Sequence, residues 1–146
     1  MIIMDTNVIS ELMRATPNVG VAAWAVSADP ELFVTAITVA EIRYGIARLP
    51  ESRRRREITV AADAVLTRFA QRVVPFDIMA ASYYGAVVAK REANGRPISV
   101  FDAQIAAICM AHSAELVTRN IKDFEDTGLT IIDPWGTEEA GNYESR

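Results

Sequence analysis

The stretch Met1-Ile2-Ile3-Met4-Asp5-Thr6-Asn7 carries the fold reading. Four apolar residues run directly into a carboxylate, a hydroxyl and an amide. A short unbroken apolar run suits a strand buried on both faces of a parallel sheet, although four residues are also compatible with a buried helix turn. As a strand, it puts Asp5 at its carboxyl end, where open α/β sheets place their ligand crevices.

Outward from that strand the chain alternates between helical and extended patterns. Val8 to Arg14 reads as a short helix, and Asn18 as the N-cap of a second one carrying Val21, Trp24 and Ala25. Leu32 to Ile37 is rich in β-formers and reads as the second strand, with Thr38 opening a helix that places Val39, Ile42, Ile46 and Leu49 on one side. Residues 51–70 form a long amphipathic helix that starts with four arginines, Arg53 to Arg56. Val73 to Phe76 reads as a strand whose Pro75 suggests a sheet edge or a strand end. Ile78 to Ala93 is a helix closed by Asn94-Gly95 in the manner of a left-handed C-cap. A helix opens near Ser99 and runs to Ala111, followed by strands at Glu115–Thr118 and Leu129–Ile132. This alternation predicts an α/β fold with a central, mostly parallel sheet of about five strands flanked by helices. No internal repeat or linker divides the chain. Residues 1–135 read as one domain and 136–146 as a loose polar tail.

The bulk numbers narrow the class. At 146 residues and 51% hydrophobic, the chain has the size and composition of one ordinary domain. The only cysteine, Cys109, can form no intrachain disulfide, which agrees with a reducing compartment. The apolar run at the N-terminus is too short for a signal peptide, and no stretch approaches a membrane span. A soluble cytoplasmic protein is the expectation. The net charge of −4 argues mildly against a nucleic-acid binder, but a total says nothing of distribution. With His112 as the only histidine, a zinc site built from several His and Cys ligands is excluded within one chain; His112 itself reads as a helix-end residue.

Four acids stand at predicted strand-to-helix junctions or helix starts: Asp5, Glu41, Asp102 and Asp123. Each has a structural role available. Thr38-x-x-Glu41 fits a capping box, Ser99-x-x-Asp102 and Asn120-x-x-Asp123 resemble one, and a carboxylate in a first helical turn complements the dipole. Asp5 has the weakest such role. Taken together they suggest something else, because residues following parallel strands emerge at one end of the sheet. A pair of carboxylates at about 4 Å repels by about 4 kcal/mol at an effective dielectric near 20. Either some protonate or a cation sits among them. Oxygen ligands favour a hard ion, Mg²⁺ or Mn²⁺, and phosphodiester hydrolysis is the natural chemistry.

Asp5-Thr6-Asn7-Val8 after an apolar strand, Thr38-Val39-Ala40-Glu41-Ile42 with Gly45, Asp102 before Ala103-Gln104-Ile105-Ala106-Ala107, and Thr118-Arg119-Asn120 with Asp123-Phe124 together resemble the PIN domain. More narrowly they are similar to the VapC-type toxins of bacterial toxin–antitoxin pairs, over nearly the whole chain. The resemblance implies a metal-dependent endoribonuclease holding Mg²⁺ or Mn²⁺ on Asp5, Glu41 and Asp102. It leaves open whether Asp123 or Asn120 completes the site, and whether one or two ions bind. Thr6 and Asn7 take supporting positions. It also implies a homodimer and a VapB-type antitoxin whose C-terminal segment covers the active site. Arg43, Arg96 and Arg119 are candidate phosphate contacts, and the Arg53–Arg56 run is another, with a solvated helix start as its plain alternative.

Two rival readings remain at this level. A haloacid-dehalogenase-type phosphatase also begins with a strand and an aspartate, but needs a second acid where this chain has Asn7. A degenerate PIN-like module that only binds is favoured by Asn120 and disfavoured by Asp123.

Overall fold

The computed structural model describes residues 1–136. Five strands, β1 (Ile2–Met4), β2 (Leu32–Thr35), β3 (Val73–Val74), β4 (Glu115–Val117) and β5 (Ile131–Ile132), form one sheet in the order β3-β2-β1-β4-β5. Every pairing is parallel. The helices are α1 (Thr6–Leu12), α2 (Val19–Ala28), α3 (Ala36–Ala47), α4 (Arg53–Arg68), α5 (Ile78–Ala93), α6 (Val100–Ala111) and α7 (Ile121–Phe124).

The apolar run at the N-terminus is the central strand, and its pleat explains the lack of alternation in polarity. Successive side chains point to opposite faces. Ile2 and Met4 enter one core with Val8, Ile9, Val21, Leu32, Val34, Ile42, Leu66 and Val117. Ile3 enters the other with Val87, Ile105, Ile108, Leu116 and Phe124. Both sides of β1 are covered, so both must be apolar. The first core packs against α1 to α4 and the second against α5 and α6, giving three layers.

The chain moves from β1 through β2 to β3 on one side, then returns to place β4 on the other side of β1. The strand order therefore reverses at β1, and the crevice between the carboxyl ends of β1 and β4 is where such sheets bind ligands. The Asp5 N–H donates to the Val117 carbonyl at 2.9 Å, carrying the ladder one residue past β1 and setting Asp5 beside Thr118.

Several local expectations need correction. The second strand stops at Thr35, and α3 begins at Ala36, two residues before Thr38. Thr35 is the cap, its hydroxyl accepting from the Thr38 N–H at 3.0 Å. The β-branched Ile37 and Val39 belong to a helix, where tertiary packing outweighs propensity. The first helix starts at Thr6 rather than Val8, with Asp5 as its N-cap. The helix start expected at Asn120 is the single turn α7, and Asn120 caps it without the side-chain bond of a capping box. Pro75 does follow an edge strand, α5 has the predicted bounds, and Gly95 takes φ +67° after the Asn94 cap. His112 is the C-cap of α6. The tail expected to be loose lies outside the described residues apart from Gly136. Among the described residues no helix is long and apolar enough to cross a membrane.

Candidate active site

Asp5 anchors the crevice and is 4% exposed. Its Oδ1 accepts from the Thr6 N–H at 2.7 Å, which makes it the cap of α1. Its Oδ2 accepts from the Thr118 hydroxyl at 2.8 Å and from the Asn7 amide at 3.1 Å. A carboxylate offers about four lone-pair positions, so Oδ2 is filled and Oδ1 keeps capacity.

Thr118 is fully buried and uses its hydroxyl three ways. It donates to Asp5 and accepts from the Asn7 amide at 3.0 Å and the Asn120 N–H at 3.0 Å. Asn7 also accepts from the Arg119 N–H through Oδ1 at 3.2 Å. Asn7 and Thr118 thus staple the ends of β1 and β4 together and orient Asp5. Thr118 was missing from the residues chosen on sequence, although it lies inside a quoted motif.

Glu41 sits in the second turn of α3, and its carboxylate accepts from the Thr6 hydroxyl at 2.9 Å. The capping box expected of Thr38 and Glu41 does not form, because Thr38 bonds to the Thr35 side chain instead. Glu41 is therefore free of capping duty. Asp102 lies in the first turn of α6 below its cap Ser99, whose hydroxyl accepts from the Asp102 N–H at 3.1 Å. Asn120 caps α7 without a side-chain bond to it.

Asp5, Glu41, Asp102 and Asn120 line one cleft of about 490 Å³ with Thr6, Asn7, Ser10, Glu11 and Arg14. Asp123 is exposed and not among the lining residues, yet its charge is felt at Asp5 and at Asp102. Burial lifts the Asp5 carboxyl above its ordinary value; the Thr118 and Thr6 bonds oppose this, and Asp102 and Asp123 add to it. Burial also raises Glu41, against the Thr6 bond and with the help of Asp5 and Asp102. Asp102 is raised by burial and by Asp123, with Ser99 and Arg91 pulling it down. Asp102 disfavours ionisation of both Asp5 and Glu41, as expected of acids sharing a crevice.

Arg91 faces this cluster from α5. It is 4% exposed, and its guanidinium donates to the backbone carbonyls of Glu125 at 2.7 Å and Lys122 at 3.4 Å, on either side of Asp123. It holds the α7 turn that carries the fourth acid. Nothing in the local sequence signals this, because the partners lie 31 and 34 residues away.

The arginines chosen on sequence are otherwise engaged. Arg43 pairs with Asp63 at 2.6 Å, and Arg96 pairs with Glu125 at 2.5 Å. The Arg119 guanidinium lies 5.5 Å from the Trp135 ring centre. Among the described residues, Arg14 is the one cation lining the cleft. Cys109 is buried, which pushes its thiol up to about 12 and leaves it unreactive at neutral pH.

As the side chains stand, no three His, Cys, Asp or Glu among the described residues are arranged to hold a metal ion. The donor set still fits a hydrated hard cation. It is all oxygen, Asp5 Oδ1 retains acceptor capacity, and Mg²⁺ characteristically takes one or two carboxylates and keeps several waters.

An all-parallel sheet with carboxylates gathered at its switch point defines an α/β protein with an acidic crevice at the carboxyl ends of its strands. A model of the PIN domain family matches residues 2–128, and the chain belongs to that family. The chain is similar to the VapC ribonuclease Y4jK of Sinorhizobium fredii, with 42% identity over 137 residues, 92% of this chain and 98% of that protein. Toxin FitB of Neisseria gonorrhoeae is 36% identical over 137 residues, 92% of this chain and 99% of that one. The solved structure of FitAB bound to a DNA fragment matches with a TM-score of 0.81 and 35% identity, covering 92% of this chain and 96% of that chain.

Proposed function

We propose that the protein is a metal-dependent endoribonuclease, the toxin of a toxin–antitoxin pair, acting in the cytoplasm. The observation that carries this reading is the meeting of Asp5, Glu41 and Asp102 in one cleft at the β1/β4 switch point, within a chain of the PIN family. The 42% identity to a VapC ribonuclease and the 36% identity to a toxin support it.

Asp5, Glu41 and Asp102 would hold Mg²⁺ or Mn²⁺, with Asp123 or Asn120 completing the site. When bound, the ion neutralises phosphate charge and lowers the pKa of a water. Around it, Thr118, Asn7 and the Thr6 N–H keep the Asp5 carboxylate fixed, so that little reorganisation is needed during reaction. The Thr6 hydroxyl orients Glu41 in the same way. Arg91 holds the turn that carries Asp123. A VapB-type antitoxin covers the cleft in this reading, and the toxin is a homodimer; the FitAB structure supports a partner of this kind. The phosphatase alternative loses its footing, since Asn7 is committed to Asp5, Thr118 and Arg119.

The test is cleavage of RNA by the purified protein with Mg²⁺ or Mn²⁺, with EDTA and Asp5→Asn as controls. Internal cuts lost in both controls are expected. Cleavage surviving either one overturns the assignment, and folded wild-type protein inert on every RNA would favour the degenerate binding module.

A further inference from the structure

The cleft does not end at its acids. Ser10 and Arg14 line both the acidic cleft and a second hollow of about 650 Å³ between the end of α1 and the start of α4. That hollow is bounded by Met13, Ala15, Arg54, Glu57, Ile58 and Ala61. Glu57 is in turn shared with a third hollow beside Arg53, Arg56 and Val60. The three hollows adjoin through these shared residues and lie in sequence from Asp5 to the arginine run of α4.

The charges along it are unevenly committed. Arg53 pairs with Glu57 at 2.9 Å and Arg55 with Glu51, both within α4 or its lead-in. Arg54 and Arg56 are exposed and make no ion pair among the described residues, and Arg14 has only a long 3.4 Å contact with Glu11. An acidic cleft on a chain of net charge −4 repels a polyanion, so its substrate needs cations along the approach. Arg14, Arg54 and Arg56 are cations with capacity to spare on that route. Between them, half-buried Met13 and Ile58 offer apolar surface to the faces of unpaired bases.

Building on the ribonuclease reading, we propose that single-stranded RNA leaves the acidic cleft past Arg14 and follows the α1–α4 groove, with Arg14, Arg54 and Arg56 contacting its phosphates. These contacts carry binding and register, while the acids carry the chemistry. A positively charged groove tracking the backbone is the usual means of holding a single strand.

The test measures binding of a labelled single-stranded RNA of about 12 nucleotides to the full chain in an Asp102→Asn background, across a salt series. Arg14→Gln, Arg54→Gln and Arg56→Gln are compared with Arg68→Gln. Arg68 removes the same charge from the same helix about 21 Å from Arg54 at the helical rise. Each groove substitution is expected to weaken binding about fourfold at about 0.15 M salt and lower the log–log salt slope by about 0.7. Arg68→Gln should do neither, and all variants should melt as the parent does. A trinucleotide should be indifferent to Arg54→Gln and Arg56→Gln, being too short to reach them.

Groove variants that match Arg68→Gln overturn the path, while RNA cleavage by the wild type would keep the ribonuclease reading intact. Unchanged RNA binding with lost affinity for an acidic peptide would assign the groove to a protein partner instead. Wild-type protein that neither binds nor cuts RNA removes both.

Discussion

At the residue scale a single buried hydroxyl ties together the groups that hold Asp5 in place. Thr118 Oγ1 serves Asp5, Asn7 and the Asn120 backbone from a fully buried position. Thr118→Val keeps the shape and removes all three bonds. Leaving such groups unpaired costs about 1–3 kcal/mol, so urea unfolding should show a loss of that order along with weaker cleavage. A stability equal to wild type would mean that water replaces the hydroxyl. Asp102 is a contrasting case. Asp102→Asn removes a carboxylate whose ionised form is disfavoured by burial and by Asp123. The metal-free variant should melt at or above the wild-type temperature while losing cleavage, and a clear drop in melting temperature would make Asp102 structural. Asp5 differs from Asp102, because its carboxylate caps α1 and accepts from Thr118 and Asn7. An amide there would set its own donor against one of theirs.

At the scale of elements, the meeting of Asp5, Glu41 and Asp102 in one cleft was legible because a local sequence signal precedes each of them. The apolar run before Asp5, the Ser99 cap before Asp102 and the β-rich run before Glu41 are all short-range signals. What supports those acids was not legible, because the support is long-range. Thr118 lies 113 residues from Asp5, and Arg91 lies 31 from Lys122. Thr35 and Thr38 show the limit in miniature: two threonines three apart offer the same cap chemistry, and only the end of β2 decides between them. The extent of α7 was illegible for a related reason, since one turn carries no period and is held by Arg91 from outside. Arg91→Met should leave the Lys122 and Glu125 carbonyls without that donor. Hydrogen exchange at residues 121–126 should rise, with a stability loss of about 1–3 kcal/mol. Unchanged exchange in that segment would show that Arg91 does not hold it.

For the whole molecule, placing three raised carboxylates at one end of the sheet makes metal-free stability depend on pH. In each case the folded state binds its proton more tightly than the unfolded chain, whose ordinary values are 3.8 for Asp5 and Asp102 and 4.5 for Glu41. Their contribution to stability is complete below those values and lost as pH rises through the higher folded ones. The metal-free protein should therefore lose stability from this cluster as pH rises above those ordinary values, and Asp102→Asn should flatten that fall. A melting temperature equally pH-dependent in both proteins would place the titration elsewhere. A bound divalent ion reverses the logic, because it favours the ionised acids and releases their protons.

That reversal gives the most direct test of the central claim that the acids act as one metal site. Mn²⁺ is titrated calorimetrically into metal-free wild-type and Asp102→Asn protein, in buffers of different ionisation enthalpy, at about one pH unit above the ordinary carboxylate range. Saturable binding to the wild type with net proton release is expected, and loss of both in a variant that is still folded. Equal Mn²⁺ binding by the two proteins, or binding without proton release, would contradict it.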